Sequence, residues 1–183
     1  MTTQPDHSAG SAATLRRIRL VLAGFVVALI FSGITAFPLQ SELQQIVEMR
    51  GLQHVAHAEA GAGFDGWMLT VRNGLRESYA KYPWLAYGTD WLAFAHITIA
   101  IFFIGVFIDP VRNVWILKAG IIACVLVIPL ALICGAARQI PVGWRLIDCS
   151  FGVFGAIPLL DSLRLTRSEG TRLLRRPFHG RDG

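Results

Sequence analysis

YGTDWLAFAHITIAIFFIGVFI, residues 87–108, decides the class of this protein. From position 97 to 108 every residue except Thr98 and Gly105 is apolar, so the stretch predicts a helix that crosses a membrane. Its opening turns are different. Asp90 stands at the mouth and His96 about two turns further in. An ionisable side chain at membrane depth is expensive, which makes both residues candidates for a functional site.

The whole chain has the same character. Of its 183 residues 54% are hydrophobic and 16% are charged, and its mean hydropathy is +0.51. Soluble domains carry roughly 25% charged residues. The apolar residues are consumed by spans, which leaves no room for a separate soluble catalytic domain. The formal charge of +5 is therefore read as topology and contact with anionic lipid rather than as a nucleic-acid footprint.

Outward from residues 87–108, spans are expected at 20–39, 91–108, 114–133 and 144–163. Residues 1–15 read as a disordered tail, 16–163 as the membrane domain with a cap over 40–90, and 164–183 as a basic tail. Arg16, Arg17 and Arg19 precede the first apolar run. That run exceeds the roughly 7–15 residues of a signal-peptide core, and no A-x-A site follows it directly, so it is read as a retained span. In the cap, Ser41 and Gln44 have capping-box spacing and residues 52–60 are open to helix. Asp65 is placed to cap a helix whose Trp67, Val71, Leu75 and Tyr79 share one face. Tyr82, Trp84, Tyr87 and Trp91 form an interfacial aromatic belt. Asp109-Pro110 stops the second span in a tight turn, and Pro129 frees the carbonyl of Val125 in the third.

Four spans put both termini on one side together with the 109–118 turn. That side holds eleven of the seventeen Lys and Arg residues and five acids, a net +6; the other side is −1. Both termini are expected in the cytoplasm, and in a bacterium the cap faces the periplasm. Small residues four apart (Gly24 and Ala28, Ala119 and Ala123, Gly152 and Ala156) are expected at close helix contacts. The fold class expected is an all-α integral membrane four-helix bundle, with a helical extracytoplasmic cap between spans 1 and 2.

This topology gathers Asp90, His96, Arg145 and Asp148 at the outer end of the bundle as a candidate polar cluster, with Arg138, Cys134 and Cys149 at similar depth. Arg145 and Asp148 are three apart on one helix and are expected to pair. A structural knot and a functional site both fit these residues. His54 and His57, with Glu48 and Glu59 near, have a spacing that suits a transition metal if His96 or Cys149 completes the set. Haem needs a second axial ligand folded over His96. Three cysteines without a close pair give neither a zinc ribbon nor a thiol redox motif, and hydrolase, nucleotide and zinc-protease motifs are missing. Arg164, Arg167, Arg172, Arg175 and Arg176 match a juxtamembrane cluster that touches anionic headgroups, and they serve equally as a positive-inside anchor.

At YPWLAYGTDWLAFAH (82–96), DPVRN (109–113) and WRLIDCSFGVFGAIPLL (144–160) the chain resembles a group of uncharacterised small bacterial four-span integral membrane proteins. The resemblance covers about 82–160 and implies a bacterial inner membrane; it brings no activity, cofactor or partner. His54 and His57 lie outside it. The expectation is an accessory, assembly or scaffolding protein, leaning away from an enzyme, that binds a lipid, a membrane-protein partner or its own copies. The alternatives are a metal- or haem-binding redox protein around His96 and a proton or small-solute pathway.

Overall fold

A computed structural model describes residues 7–55 and 63–174. Among them there is no strand, and four helices are long and apolar enough to cross a membrane: Ala12–Ala36, Pro83–Ile108, Val114–Ala137 and Val142–Ser168. The shortest has 24 residues. At 1.5 Å rise per residue that is about 36 Å, against a hydrocarbon core of about 30 Å. The protein is an all-α, multi-pass membrane protein.

The helices in order are α1 (His7–Ala36), α2 (Leu39–Met49), α3 (Phe64–Lys81), α4 (Tyr87–Ile108), α5 (Val114–Ala137) and α6 (Val142–Leu174), with a 3₁₀ turn at Pro83–Ala86 before α4. The long helices overrun the expected spans. α1 starts at His7, inside the stretch read as a disordered tail, because Ala, Leu and Arg favour helix. It ends at Ala36, ahead of Phe37-Pro38, since a residue before proline is pushed out of the α region. α6 continues to Leu174 because nothing in its polar end breaks a helix. In the cap, α2 is entered through Pro38 and not through Ser41, and Gln44 donates to Glu48 Oε1 (2.7 Å) instead of closing a capping box. Gly63, not Asp65, is the N-cap of α3. Residues 52–55 do not resume a helix, and the rest of the 52–60 stretch lies outside the described residues.

Two compact units divide the chain. One comprises Met1–Val27 with Ile101–Gly183 and the other Ala28–Ala100, so α1 and α4 each contribute one end to both. In the first unit four helical segments pack as a bundle. Ile18, Leu22, Phe103, Val106, Leu117 and Leu159 are buried, and Phe25 meets Phe103 edge to face at 4.9 Å. Arg17 pairs with Asp161 at 3.0 Å, joining α1 to α6. Arg19 donates to the carbonyls of Phe107 (3.2 Å) and Ile108 (3.4 Å), and the Asn113 amide to those of Gly105 and Asp109 (2.9 Å each). These donors satisfy the open C-terminus of α4, where a cation also suits the helix dipole.

α5 and α6 form the tightest pair. A Cβ on Gly152 would fall against the backbone oxygen of Cys124 and 2.6 Å from Val127 Cγ1. One on Gly120 would stand 2.9 Å from Leu159 Cδ1 and Phe103 Cζ. Gly152 thus fulfils its expected role. Ala119 and Ala123 are exposed, and their neighbours Gly120 and Cys124 hold the contact instead; Gly24 has nothing within 4 Å. The α5–α6 loop closes with Ile140 N–H to Gly135 O (2.9 Å) and Gln139 N–H to Ala136 O (3.1 Å), with Gln139 at φ 59°. That is a Schellman motif carrying glutamine where glycine is preferred.

In the second unit, α2 ends in the same motif with Gly51 at φ 68°, Leu52 N–H bonding Val47 O at 2.9 Å. Val47, Met68 and Leu69 are buried between the cap helices, and Arg50 joins them through Asp65 at 2.8 Å. The buried face of α3 is Met68, Leu69 and Arg72; the Trp67–Val71–Leu75–Tyr79 stripe flanks it, half-buried.

Three substitutions test this packing and the turn beside it. Gly152→Leu should destabilise the protein by about 1–3 kcal/mol through overpacking, while Gly24→Ala should stay within about 1 kcal/mol of the parent. Gln139→Gly should stabilise it by about 1 kcal/mol, because the left-handed conformation no longer opposes a Cβ. Thermal unfolding in detergent reads all three.

Candidate functional site

The four residues of the expected polar cluster are split between the units: Asp90 and His96 in one, Arg145 and Asp148 in the other. Asp90 lies in the first turn of α4, half-buried, where the helix dipole favours a carboxylate. His96 is held by its own helix. Its Nδ1 is 2.8 Å from the carbonyl of Leu92, which can only accept, so Nδ1 is the donor of this bond. On the other flank of the side chain, a Cβ on Gly33 of α1 would sit 3.0 Å from His96 Cβ and 3.1 Å from Ala93 O. His96 thus marks the point where α1 and α4 approach through a glycine.

Arg145 and Asp148 do not pair. The ion pairs among the described residues are Arg17–Asp161 and Arg50–Asp65. The Arg145 stem is laid across the notch of Gly135 on α5, so close that an added Cβ would meet its Cγ at 2.6 Å and its Cδ at 2.7 Å. This turns the side chain toward α5 rather than along α6 to Asp148, and leaves Nε buried with no hydrogen-bond partner. Cys149 also reaches α5, its Sγ 3.9 Å from Ile128 O. Cys134 is exposed, and all three cysteines are free.

For the metal reading, His54 is exposed in the turn after α2, and His57 lies outside the described residues. Glu48 is engaged by Gln44. Among the described residues no three His, Cys, Asp or Glu side chains gather as a metal centre. Of the basic cluster, Arg164 and Arg167 are exposed on the last turns of α6 and Arg172 belongs to the same helix. Arg175 and Arg176 lie outside the described residues.

Sequence reasoning passed over a polar cavity in the cap. It has a volume of about 510 Å³ and is lined by Gln40, Ser41, Gln44 and Gln45 of α2 and Arg72 and Arg76 of α3. Arg72 is only 9% exposed. Its Nη1 donates to Gln44 Oε1 at 3.3 Å, while its Nε is buried with no partner. Arg76 follows one turn later and is exposed. The available signal was LQSELQQ followed by two arginines at helical i,i+4 spacing.

No family model matches the chain, and neither does any curated protein or solved structure.

Arg145 is a packing element in this arrangement. Arg145→Met keeps the stem against Gly135 and removes the unpartnered nitrogen, so its melting temperature should equal or exceed the parent's. Arg145→Ala should lose about 1–2 kcal/mol from the emptied notch. A melting curve for each variant decides whether stem or charge matters.

Proposed function

We propose that this is an accessory, assembly or scaffolding protein of a bacterial inner membrane, working by binding lipid or the spans of a membrane partner. The observation that carries the reading is the outer surface of its helices. In the most apolar window of α5 only 6% of residues are buried by the protein itself. Large side chains such as Phe31, Phe102, Leu126, Ile133 and Phe154 stand exposed on the four long helices. That much uncovered apolar surface is covered in the cell by acyl chains or by other spans. The polar residues inside the helical region support the same reading: His96 and Arg145 fit against glycines of neighbouring helices, a use in packing rather than chemistry.

Both termini face the cytoplasm in this proposal, and the cap made by α2 and α3 is extracytoplasmic. The charge asymmetry supports it, with Arg16, Arg17, Arg19, Arg164 and Arg167 on one side. The arginines after position 163 then meet anionic headgroups of the inner leaflet, at about 1 kcal/mol each.

Reporter fusions and native mass spectrometry test the two halves of the proposal. Alkaline phosphatase joined after Arg50 should be active, and after Asn113 inactive; the reverse pattern would invert the topology. The purified protein should retain lipid or a second membrane protein in native mass spectra. A bare single chain released from mild detergent would sink the binding role.

A further inference from the structure

The cavity between α2 and α3 combines three features. It is lined by two arginines, three glutamines and a serine, with no carboxylate among them. One arginine, Arg72, is more than nine-tenths buried, yet its Nε has no partner. A buried guanidinium with an idle donor carries a desolvation cost that an anion in the cavity would offset. The volume, about 510 Å³, lies in the range of small-molecule sites.

The donors select the anion. Arg72 and Arg76 present guanidinium N–H groups, Gln40 and Gln45 amides, and Ser41 a hydroxyl. Gln40 and Ser41 also belong to the first turn of α2, where backbone N–H groups have no intrahelical acceptor. Such a set outnumbers the acceptors of a carboxylate and suits a phosphate diester, whose two charged oxygens arginine grips with parallel hydrogen bonds while its two bridging oxygens are left for weaker donors. Gln44 is turned the other way: its oxygen accepts from Arg72 and its amide donates to Glu48. It holds the arginine in the cavity wall.

Position names the source. The span Ala12–Ala36 ends only three residues before α2 begins at Leu39, and both segments belong to the same compact unit. Gln40 and Ser41 therefore lie one turn beyond hydrocarbon, at headgroup depth. We infer that the α2–α3 cavity is a phosphate-ester site, built around Arg72 and Arg76, that takes the headgroup phosphate of a phospholipid. The site deepens the lipid-binding proposal above and rests on it for the source of the phosphate. It is built from other residues than the arginines of α6.

The test uses the full chain, purified in mild detergent and in nanodiscs. Phosphatidylglycerol is compared with an uncharged galactolipid, and sn-glycerol 3-phosphate with acetate at equal ionic strength. Phosphatidylglycerol should be retained in native mass spectra and should raise the melting temperature, where the galactolipid does neither. Arg76→Gln, at an exposed position, should melt like the parent without ligand and bind phosphatidylglycerol about tenfold more weakly. Arg72→Lys keeps a charge and should weaken binding as well. Stabilisation by sn-glycerol 3-phosphate as strong as that by the lipid would assign the same site to soluble phosphate esters. Acetate acting as well as phosphate, or Arg76→Gln binding like the parent, would overturn it. If binding survives Arg76→Gln but falls in Arg164→Gln/Arg167→Gln, the lipid sits at the α6 arginines: the cavity proposal fails while the lipid-binding role stands.

Discussion

The close approach of α5 and α6 is the constraint on which the first unit depends. In hydrocarbon there is no hydrophobic drive between helices, since lipid tails are as apolar as leucine, and association rests on van der Waals contact. Contact of that kind needs backbones near one another, and only glycine permits it here. Gly152 meets the carbonyl of Cys124, Gly155 its sulfur, and Gly120 admits Leu159 and Phe103. Phe103 in turn touches Phe25, so the glycine seam of α5 and α6 also sets where α4 and α1 can lie in that unit. Gly33 against His96 applies the same device in the second unit.

With the helices held this way, polar side chains take structural tasks at helix ends. Arg19 and Asn113 close the C-terminus of α4, Arg17 anchors α1 to Asp161, and Arg50 bridges α2 to Asp65 of α3. The fourth span carries Arg145, Asp148 and Asp161, which weakens its hydropathy, but each charge lies toward an end and Asp161 has a partner. These bonds are partly exposed, so each contributes little to stability alone. Their effect is to fix register: each ties one helix end to one position of a neighbour.

The spans were legible because hydropathy over twenty residues is a large, redundant signal, and the 109–113 turn because Asp-Pro stops a helix by steric exclusion. Helix starts were less so. Ser41 and Asp65 have the right chemistry for caps, yet α2 begins at Leu39 because Pro38 has already turned the chain, and α3 begins at Phe64. Small-xxx-small spacing located Gly152 but missed the opposite wall by one residue, since spacing carries no information on which face meets which. The Arg145–Asp148 pair illustrates the same limit. Spacing of three allows the pair, but a glycine notch on the facing helix offers the arginine stem a better place.

Arg72 was invisible for a related reason. An arginine on a polar cap helix reads as solvated, and only the fold reveals that Met68 and Leu69 draw its face inward against α2. This separates the two sets of arginines in the protein. Arg164 and Arg167 are exposed and adjustable, able to attract any negative surface at long range and to hold none in a set geometry. Arg72 is fixed by burial and by Gln44, so its guanidinium keeps one place in the wall of one cavity. On the phosphate-site proposal the two sets divide the work: a diffuse field recruits a membrane surface, and a preorganised guanidinium discriminates among its headgroups, since only a ligand with an oxygen at the right place recovers the desolvation already incurred.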